Sequence, residues 1–147
     1  MEVENLKLKA TDHEQIDVIS ALLQDSIFHI NMCSFDEDNE KCLSLLFNRF
    51  CWECENGENL VHYRVHSAVY IHRVKAIYAN KHIKSHTRSD FLNLLGIHST
   101  NDNEIVLLFS GKGQIKVEVE ELLVYMQDIN NPWPTYTTPR HELHVSE

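Results

Sequence analysis

The sequence predicts an α+β fold in which one N-terminal helix packs on a strongly curved antiparallel sheet, or half-open barrel, of about seven strands. Three observations lead to this prediction. Apolar residues recur at helical spacing near the N-terminus, the spacing then changes to two, and polar turn residues separate the extended segments. The chain has 147 residues, which fits one domain, and one helix can cover one face of such a sheet.

The helix is predicted from about residue 12 to residue 24. Thr11 and Glu14 match a capping box, in which the threonine hydroxyl accepts a hydrogen bond from a helix N–H and the glutamate reaches back to the cap. The apolar residues that follow share one helical face, and they are Ile16, Ile19, Leu22 and Leu23. Residues 1–10 alternate as a short extended lead-in.

Strands are predicted after the helix, where apolar side chains recur at every second position. The segments are 26–35, 41–53, 60–78, 104–109, 114–120 and 122–127, and residues 91–98 fit either a strand or one helical turn. Residues 41–53 carry apolar side chains on both faces, which indicates a central strand, and residues 60–78 form a run long enough to bend once. Asn56-Gly57 and Gly111-Lys112-Gly113 indicate hairpin turns, and residues 79–89 a polar connection.

All three prolines lie near the C-terminus, at positions 132, 134 and 139. Proline lacks the backbone N–H that regular structure uses, so we expect an irregular tail over residues 130–147 after a single α+β domain of residues 1–129. Trp133 lies between two of the prolines. It is predicted either to close the open end of the sheet or to form an exposed, ligand-like segment.

The net charge of −9 is unevenly distributed. Between residues 59 and 89 there is no Asp or Glu, and the basic residues of that stretch are Arg64, Arg73, Lys75, Lys81, Lys84 and Arg88. Together with the interleaved tyrosines, these residues predict a face that binds a nucleotide, RNA or another polyanion. Two alternatives stay open, which are an acidic protein partner or self-association, and pairing with the acidic strand at 116–121.

A second candidate surface lies at the end of the central strand. Arg49, Phe50 and Trp52, with Trp133 from the tail, are residue types that anchor protein interfaces. In the alternative interpretation Phe50 and Trp52 fill the core, and Arg49 pairs with Glu53 or a neighbouring carboxylate.

No motif predicts a cofactor, a metal or a catalytic residue. Cys51-x-x-Cys54 with His62 and His66 resembles a zinc ligand set, but two histidines four residues apart on a strand lie ~13 Å apart, too far for one ion. The four cysteines are expected to stay reduced, because no secretory signal precedes them. The chain holds no nucleophile elbow, phosphate-binding glycine loop or dinucleotide fingerprint.

Several motifs, in order along nearly the whole chain, carry a family resemblance. They are Leu6-Lys7-Leu8, the segment 19–25, Asn48-Arg49-Phe50 with Trp52-Glu53, the alternating run 107–120, Asp128 and Pro132-Trp133. The chain thereby resembles a family of small bacterial proteins known only as domain of unknown function 2948. The family has no activity to transfer, so the resemblance implies a cytoplasmic, single-domain bacterial protein. The cysteines and most histidines lie outside the shared motifs, which lowers the expectation of chemistry based on them.

These observations together predict a cytoplasmic, non-catalytic binding module for a protein partner. The module would act through a bipolar surface, with one basic and one acidic part, or through an aromatic strand face. The runner-up is an accessory domain that binds a nucleotide, RNA or another polyanion through the basic face of residues 59–89. The third hypothesis is an enzyme with an unrecognised site, for which a cleft lined by Arg49, Glu53 and His66 is the candidate. No membrane partner is expected, because the longest apolar run is far shorter than the ~20 residues of a membrane span; self-association stays open.

Overall fold

A computed structural model of the protein describes residues 5–38, 41–55, 61–84 and 91–136. In these residues one main helix accompanies a large antiparallel sheet that does not close, which confirms the α+β class. The described strands number ten and not seven. The additional three are the lead-in, the second part of the 60–78 run and a short strand in the predicted tail.

The elements follow one another in an order dominated by strands. They are β1 (Lys7–Ala10), α1 (His13–Leu23), β2 (Ile27–Asp36), β3 (Cys42–Phe50), β4 (His62–Ile71), β5 (Val74–Ala79), α2 (Lys81–Lys84), β6 (Phe91–Asn101), β7 (Glu104–Phe109), β8 (Gln114–Val119), β9 (Val124–Asp128) and β10 (Trp133–Thr135). Two 3-10 turns, Trp52–Cys54 and Ser110–Lys112, follow β3 and β7.

The sheet has the order β1-β9-β4-β3-β2-β6-β7-β8-β5, and β10 pairs with β4 beside β9. β2 connects two halves, since Ile27 pairs with Asn48 of β3 on one side and with Asn93 of β6 on the other. The bend predicted within 60–78 lies between β4 and β5, where Arg73 has a φ of 56°. This bend carries the chain from the middle of one half to the far edge of the other.

The helix α1 begins one residue later than a Thr11 cap would place it. The N-cap is Asp12, whose carboxylate accepts a hydrogen bond from the backbone N–H of Gln15 at 2.8 Å. The Gln15 amide oxygen in turn accepts from the backbone N–H of Thr11 at 2.7 Å. The cap is therefore shifted by one position to Asp12, and the Gln15 side chain reaches back to the N–H of Thr11, one residue before the N-cap, where a capping box would use the N–H of the N-cap itself.

The core lies between α1 and the inner faces of the two sheet halves. Phe28 of β2 shows that the halves share this core, since its ring centroid lies 5.3 Å from that of Phe47 and 5.4 Å from that of Phe109. α1 contributes Ile16, Ile19 and Leu23, all buried. Each fully buried side chain of this size stabilises the fold by about 1.5–3 kcal/mol.

Several elements differ in detail from the pattern that predicts them. Residues 91–98 belong to a strand, which continues to Asn101, and the 41–53 run ends as a strand at Phe50 and turns into a 3-10 turn. The polar connection contains the helical turn α2, because Ile83 is buried and fixes it to the sheet. Within the predicted irregular tail, Trp133–Thr135 pairs with β4, and the Asn56-Gly57 turn lies outside the described residues.

None of the helices found in the described residues is long and apolar enough to cross a membrane.

Candidate binding groove

The outer face of β3 and β4, away from the core, forms the floor of a groove. Its floor residues are the alternate positions that do not enter the core. In the β3–β4 ladder three pairs project outward, and they are Ser44 with Tyr70, Leu46 with Ala68, and Asn48 with His66. Because strand side chains alternate between faces, this floor runs opposite the buried Leu43, Leu45 and Phe47.

An irregular part of β2 forms one wall of the groove. β2 pairs with β3 at Phe28–Phe47 and again at Cys33–Leu45, so five steps along β2 correspond to two along β3. In the described part of the chain, Ile30, Asn31 and Met32 have no ladder partner on β3 or β6. The extra residues bulge away from the sheet and stand beside its outer face.

Two adjoining depressions make up the groove, and they share Met32 and Leu46. The first is about 240 Å³ in volume, and its lining is Ile27, His29, Met32, Leu46, Asn48, His66 and Phe91. The second is about 340 Å³ and continues toward Ser34, Ser44, Tyr70 and Ile129. Among the described residues, neither lining includes an Asp, Glu, Lys or Arg side chain.

Large apolar side chains along the groove remain in contact with water. Phe91 is 64% exposed, Ile129 49% and Met32 45%. Single exposed apolar residues are ordinary on protein surfaces, but a contiguous group beside a depression is typical of an interaction site. Cys33 lies in the second depression, and burial raises the pKa of its thiol, so the neutral form is favoured there.

Asn48 presents an amide N–H group at the floor of the first depression. Arg64 Nη1 donates to both the backbone oxygen and the side-chain Oδ1 of Asn48, at 3.0 and 3.1 Å. These bonds fix which end of the amide is oxygen. Asn48 Nδ2 has no hydrogen-bond partner among the described residues, so it is a donor available to a ligand.

His66 is fixed in one tautomer by Asn130. The Asn130 Oδ1 accepts from the backbone N–H of His66 at 3.0 Å, so its Nδ2 is the atom 2.9 Å from His66 Nδ1. Since that Nδ2 donates, His66 Nδ1 accepts, and the proton of the neutral ring is on Nε2. Trp133 packs against the same ring, with centroids 4.8 Å apart.

His29 completes the polar groups of this depression. Its ring packs on Phe91, with centroids 3.6 Å apart. His29 Nδ1 is buried and makes no hydrogen bond within the described structure. Buried polar atoms are almost always satisfied, and this one is an exception that has no exposed surface toward the depression.

The groove is closed at the Asn48 end. Phe50, the next outward residue of β3, is buried beneath Trp52 at 4.6 Å between ring centroids and beneath the Arg64 guanidinium at 5.9 Å. Burial lowers the pKa of Arg64, and the charge of Asp25 acts in the opposite direction. An occupant that follows β3 therefore meets a wall two residues past Asn48, at Phe50.

Beneath this end, on the core side of the sheet, lies a buried ion cluster around Arg49. The Arg49 side chain is 0% exposed. Its Nη1 and Nη2 donate to the two Glu53 oxygens at 2.8 and 2.6 Å, and its Nε and Nη2 donate to the two Asp128 oxygens at 3.1 and 2.9 Å. Ser67 Oγ accepts from Arg49 Nε at 2.9 Å, and Asp128 also accepts from the backbone N–H of Leu6 at 3.0 Å.

The two carboxylates keep Arg49 charged in its buried position. Burial lowers the pKa of Arg49, but the hydrogen bonds and charges of Glu53 and Asp128 outweigh it, so the pKa lies above its usual value. The cluster joins β3, β4, β9, the chain before β1 and the 3-10 turn. This confirms the Arg49 part of the alternative interpretation, in which Arg49 pairs with Glu53 or a neighbouring carboxylate. Phe50 is buried, as that interpretation also predicts, but Trp52 is 37% exposed and does not fill the core.

The cysteines depart from the expectation that all four are reduced. Cys51 and Cys54 form a disulfide across the 3-10 turn that contains Trp52 and Glu53, whereas Cys33 and Cys42 are free thiols. A separation of three residues lets the turn bring the two sulfur atoms together. His62 lies 2.7 Å from Glu55, and no group of three or more potential metal ligands occurs in the described residues.

The six basic candidates of residues 59–89 lie in different places. Arg64, on β4, closes the groove. Arg73, in the turn before β5, forms an ion pair with Glu121. Lys75 on β5 and Lys81 and Lys84 on α2 are exposed at the far edge of the sheet. Arg88 lies outside the described residues.

The four interface candidates divide between core and surface. Arg49 and Phe50 are buried, so neither side chain reaches the surface. Trp52 and Trp133 are partly exposed and flank the closed end of the groove. Of the cleft suggested for an enzyme, Arg49 and Glu53 lie on the core side of β3, while His66 projects from the outer face.

A larger cleft, about 520 Å³, lies between the β1–α1 connection and the turns at 102–103 and 120–123. At its side His13 contacts Ser99 Oγ through Nδ1, and its Nε2 lies 3.2 Å from Asp102 Oδ1. The Asp102 side chain is 88% exposed, so water competes with this contact. The three residues make a surface contact and lack the buried, oriented carboxylate of a catalytic triad.

A family model described as "Protein of unknown function (DUF2948)" matches residues 6–141. Comparison with curated proteins and with solved structures finds no match.

Proposed function

The chain belongs to the DUF2948 family, which is described as proteins of unknown function, and from the groove we propose that the protein is a non-catalytic binding module for an extended, apolar segment of a protein partner. The proposed setting is the bacterial cytoplasm. The Cys51–Cys54 bridge is compatible with that setting, because both residues are buried away from soluble reductants.

The uncharged lining of the groove carries the proposal. The protein as a whole has a net charge of −9, yet the described residues that line the two depressions present only apolar and neutral polar groups. Covering exposed apolar surface is favourable by about 25 cal/mol per Å². A partner segment with apolar side chains would therefore gain affinity here without having to pair a buried charge.

The shape of the groove favours an extended chain. Four steps along β3, from Ser44 to Asn48, span ~13 Å, which accommodates about four residues of extended polypeptide. The β2 wall contributes backbone groups at Ile30–Met32 that have no ladder partner in the described structure. Such groups can hydrogen-bond an added strand, while the depressions receive its side chains.

The experiment is selection from a random heptapeptide library displayed with free C-termini, followed by fluorescence anisotropy of the enriched peptide as a labelled synthetic probe. We expect apolar sequences with micromolar Kd and at least about tenfold weaker binding to Met32→Glu, since the glutamate would be desolvated in the complex. The matched control is Leu95→Glu, an equally exposed apolar position in the other half of the sheet. Equal loss in both variants, or no enrichment of apolar sequences, would contradict the proposal.

The basic edge of the sheet is a second candidate, for a polyanion such as RNA. Lys75, Lys81 and Lys84 pair with no carboxylate of the described residues. Beside them Tyr78 is half exposed, with Lys116 Nζ 5.4 Å from its ring centroid. Anisotropy of a labelled mixed-sequence RNA at low and higher salt tests it, because phosphate contacts weaken steeply with salt.

A further inference from the structure

We infer that the closed end of the groove binds the C-terminal carboxylate of the partner's chain. The inference rests on the proposed function, since it names which part of the partner the groove selects. It follows from the hydrogen-bonding groups of the first depression and from the wall beyond it.

Two side chains of the first depression present N–H groups that the surrounding hydrogen bonds identify as donors. The described contacts fix no hydrogen-bond acceptor in this depression. Asn48 Nδ2 is a donor because Arg64 occupies the amide oxygen, and His66 Nε2 carries the ring proton because Asn130 donates to Nδ1. Asn48 and His66 are ladder partners on neighbouring strands, so their side chains project side by side, with Cβ atoms about 4.5–5.5 Å apart. Two N–H groups on side chains that project side by side can donate to the two oxygens of one carboxylate.

His29 faces the same depression from the β2 wall. Its buried Nδ1 makes no hydrogen bond among the described residues. Because this nitrogen has no exposed surface, it is not counted among the groups that would contact an occupant. The two remaining groups, on Asn48 and His66, match the chemistry of a carboxylate, which only accepts hydrogen bonds, better than that of an amide, which also donates.

Charge favours the same ligand. Arg64 is the cation next to the depression, and it holds Asn48 through two hydrogen bonds. No carboxylate of the part of the chain that the structure describes lines either depression. A hydrogen bond to an ionised acceptor is roughly twice as strong as one between neutral groups, so this end of the groove discriminates between a charged and a neutral terminus.

The wall beyond Asn48 explains why the ligand is the end of a chain and not an internal acidic residue. Phe50 is covered by Trp52 and Arg64, so an extended chain cannot continue along β3. The other end of the groove opens beyond Ser44 and Tyr70. A chain that enters there and follows β3 would place its last residue in the first depression, beside Ile27 and Phe91.

The test compares one enriched heptapeptide as the free acid and as the C-terminal carboxamide, by anisotropy on the wild-type protein. We expect the free acid to bind at least about tenfold more tightly. His66→Leu should remove this preference while still binding the carboxamide, and His66→Gln should keep it, because the glutamine amide can donate from a similar position. Asn48→Ala provides a second variant, with thermal unfolding as the check that each variant is folded.

Each outcome separates the two proposals. Equal affinity for the acid and the carboxamide, with Met32→Glu still weakening both, overturns the terminal carboxylate and leaves the groove proposal standing. Loss of all peptide binding removes both. Tight binding of 4-phenylbutyrate alone, at the affinity of the peptide, overturns the chain end in favour of a small apolar acid.

Discussion

At the scale of single residues, Arg49 is the clearest case in which burial and charge are balanced. A buried ion pair adds little net stability compared with apolar residues, but removing one partner leaves the other buried and unpaired. Here two carboxylates depend on one guanidinium, and Asp128 also holds the chain before β1. The fold therefore tolerates changes at this site less well than the surface location of Glu53 suggests.

We expect Arg49→Met to lower the free energy of unfolding by about 3–5 kcal/mol, because Glu53 and Asp128 lose their shared partner. Arg49→Lys should recover only part of this loss, since an ammonium group cannot bind both carboxylates in the bidentate manner seen here. Urea unfolding at neutral pH measures both. The double variant Arg49→Met with Asp128→Asn should be less unstable than the single variants predict together, and full additivity would show that the charges do not act as a unit.

Residue-level prediction from sequence succeeded where the partners are close along the chain. Arg49 and Glu53 are four residues apart, and their pairing is one of the alternatives that the sequence offers. The predicted strand over 41–53 would hold them ~13 Å apart, and the 3-10 turn after Phe50 brings them together. Asp128 is 79 residues from Arg49. The sequence pattern around Asp128 indicates the end of a strand and does not indicate an ion pair. Asn130 and His66 are likewise distant, so the tautomer that matters for the groove depends on the register of β4 with β9.

At the scale of elements, α1 shows how a correct helix can have the wrong cap. Thr11 and Asp12 are both good N-cap residues, and the choice between them depends on which backbone N–H groups the first turn presents. In the structure Asp12 accepts from Gln15. The Thr11 hydroxyl contacts only the Gln15 side chain, at 3.2 Å.

We expect Asp12→Ala to lower the free energy of unfolding by about 0.5–2 kcal/mol, as loss of an N-cap does. Thr11→Ala should cost much less, because its backbone N–H still donates to Gln15. Chemical denaturation of the two variants side by side distinguishes them. The reverse order of effects would place the cap at Thr11.

The β2 bulge had no signature in the sequence. Residues 26–35 alternate well enough to predict an unbroken strand, and no glycine or proline marks the place where β2 leaves β3. The pairing is set instead by Phe28, which must reach Phe47 and Phe109 in the core. The groove could not be predicted for this reason, because its wall exists only once the register is known.

At the scale of the whole molecule, the basic stretch shows that charge clustered in sequence need not cluster in space. The bend at Arg73 leads the chain from β4 to the opposite edge of the sheet. Arg64 is thereby separated from Lys75, Lys81 and Lys84, and it serves the groove instead. The composition of a segment gives its net charge, but the topology of the fold determines on which surface its charged side chains lie.

We expect replacement of Lys75, Lys81 and Lys84 by Glu to leave the free energy of unfolding within about 0.5 kcal/mol, because all three are exposed. Peptide binding in the groove should not change, whereas any salt-sensitive RNA binding by the wild type should disappear. The matched control replaces Lys7, Lys9 and Lys41, also exposed, by Glu, which alters the net charge equally. A large drop in melting temperature for the first variant alone would show that these lysines support the fold.

The strand order also fixes when the protein can finish folding during its synthesis. β1 emerges from the ribosome first, yet its partner is β9, with Lys7 opposite Gln127. β5 likewise waits for β8, although β4 directly precedes it. Such distant pairings slow folding, since a long loop must close before any contact forms. Until residue 128 has been translated, Arg49 has no Asp128 to bind, so we expect the nascent chain to mature only when almost all of it has left the ribosome.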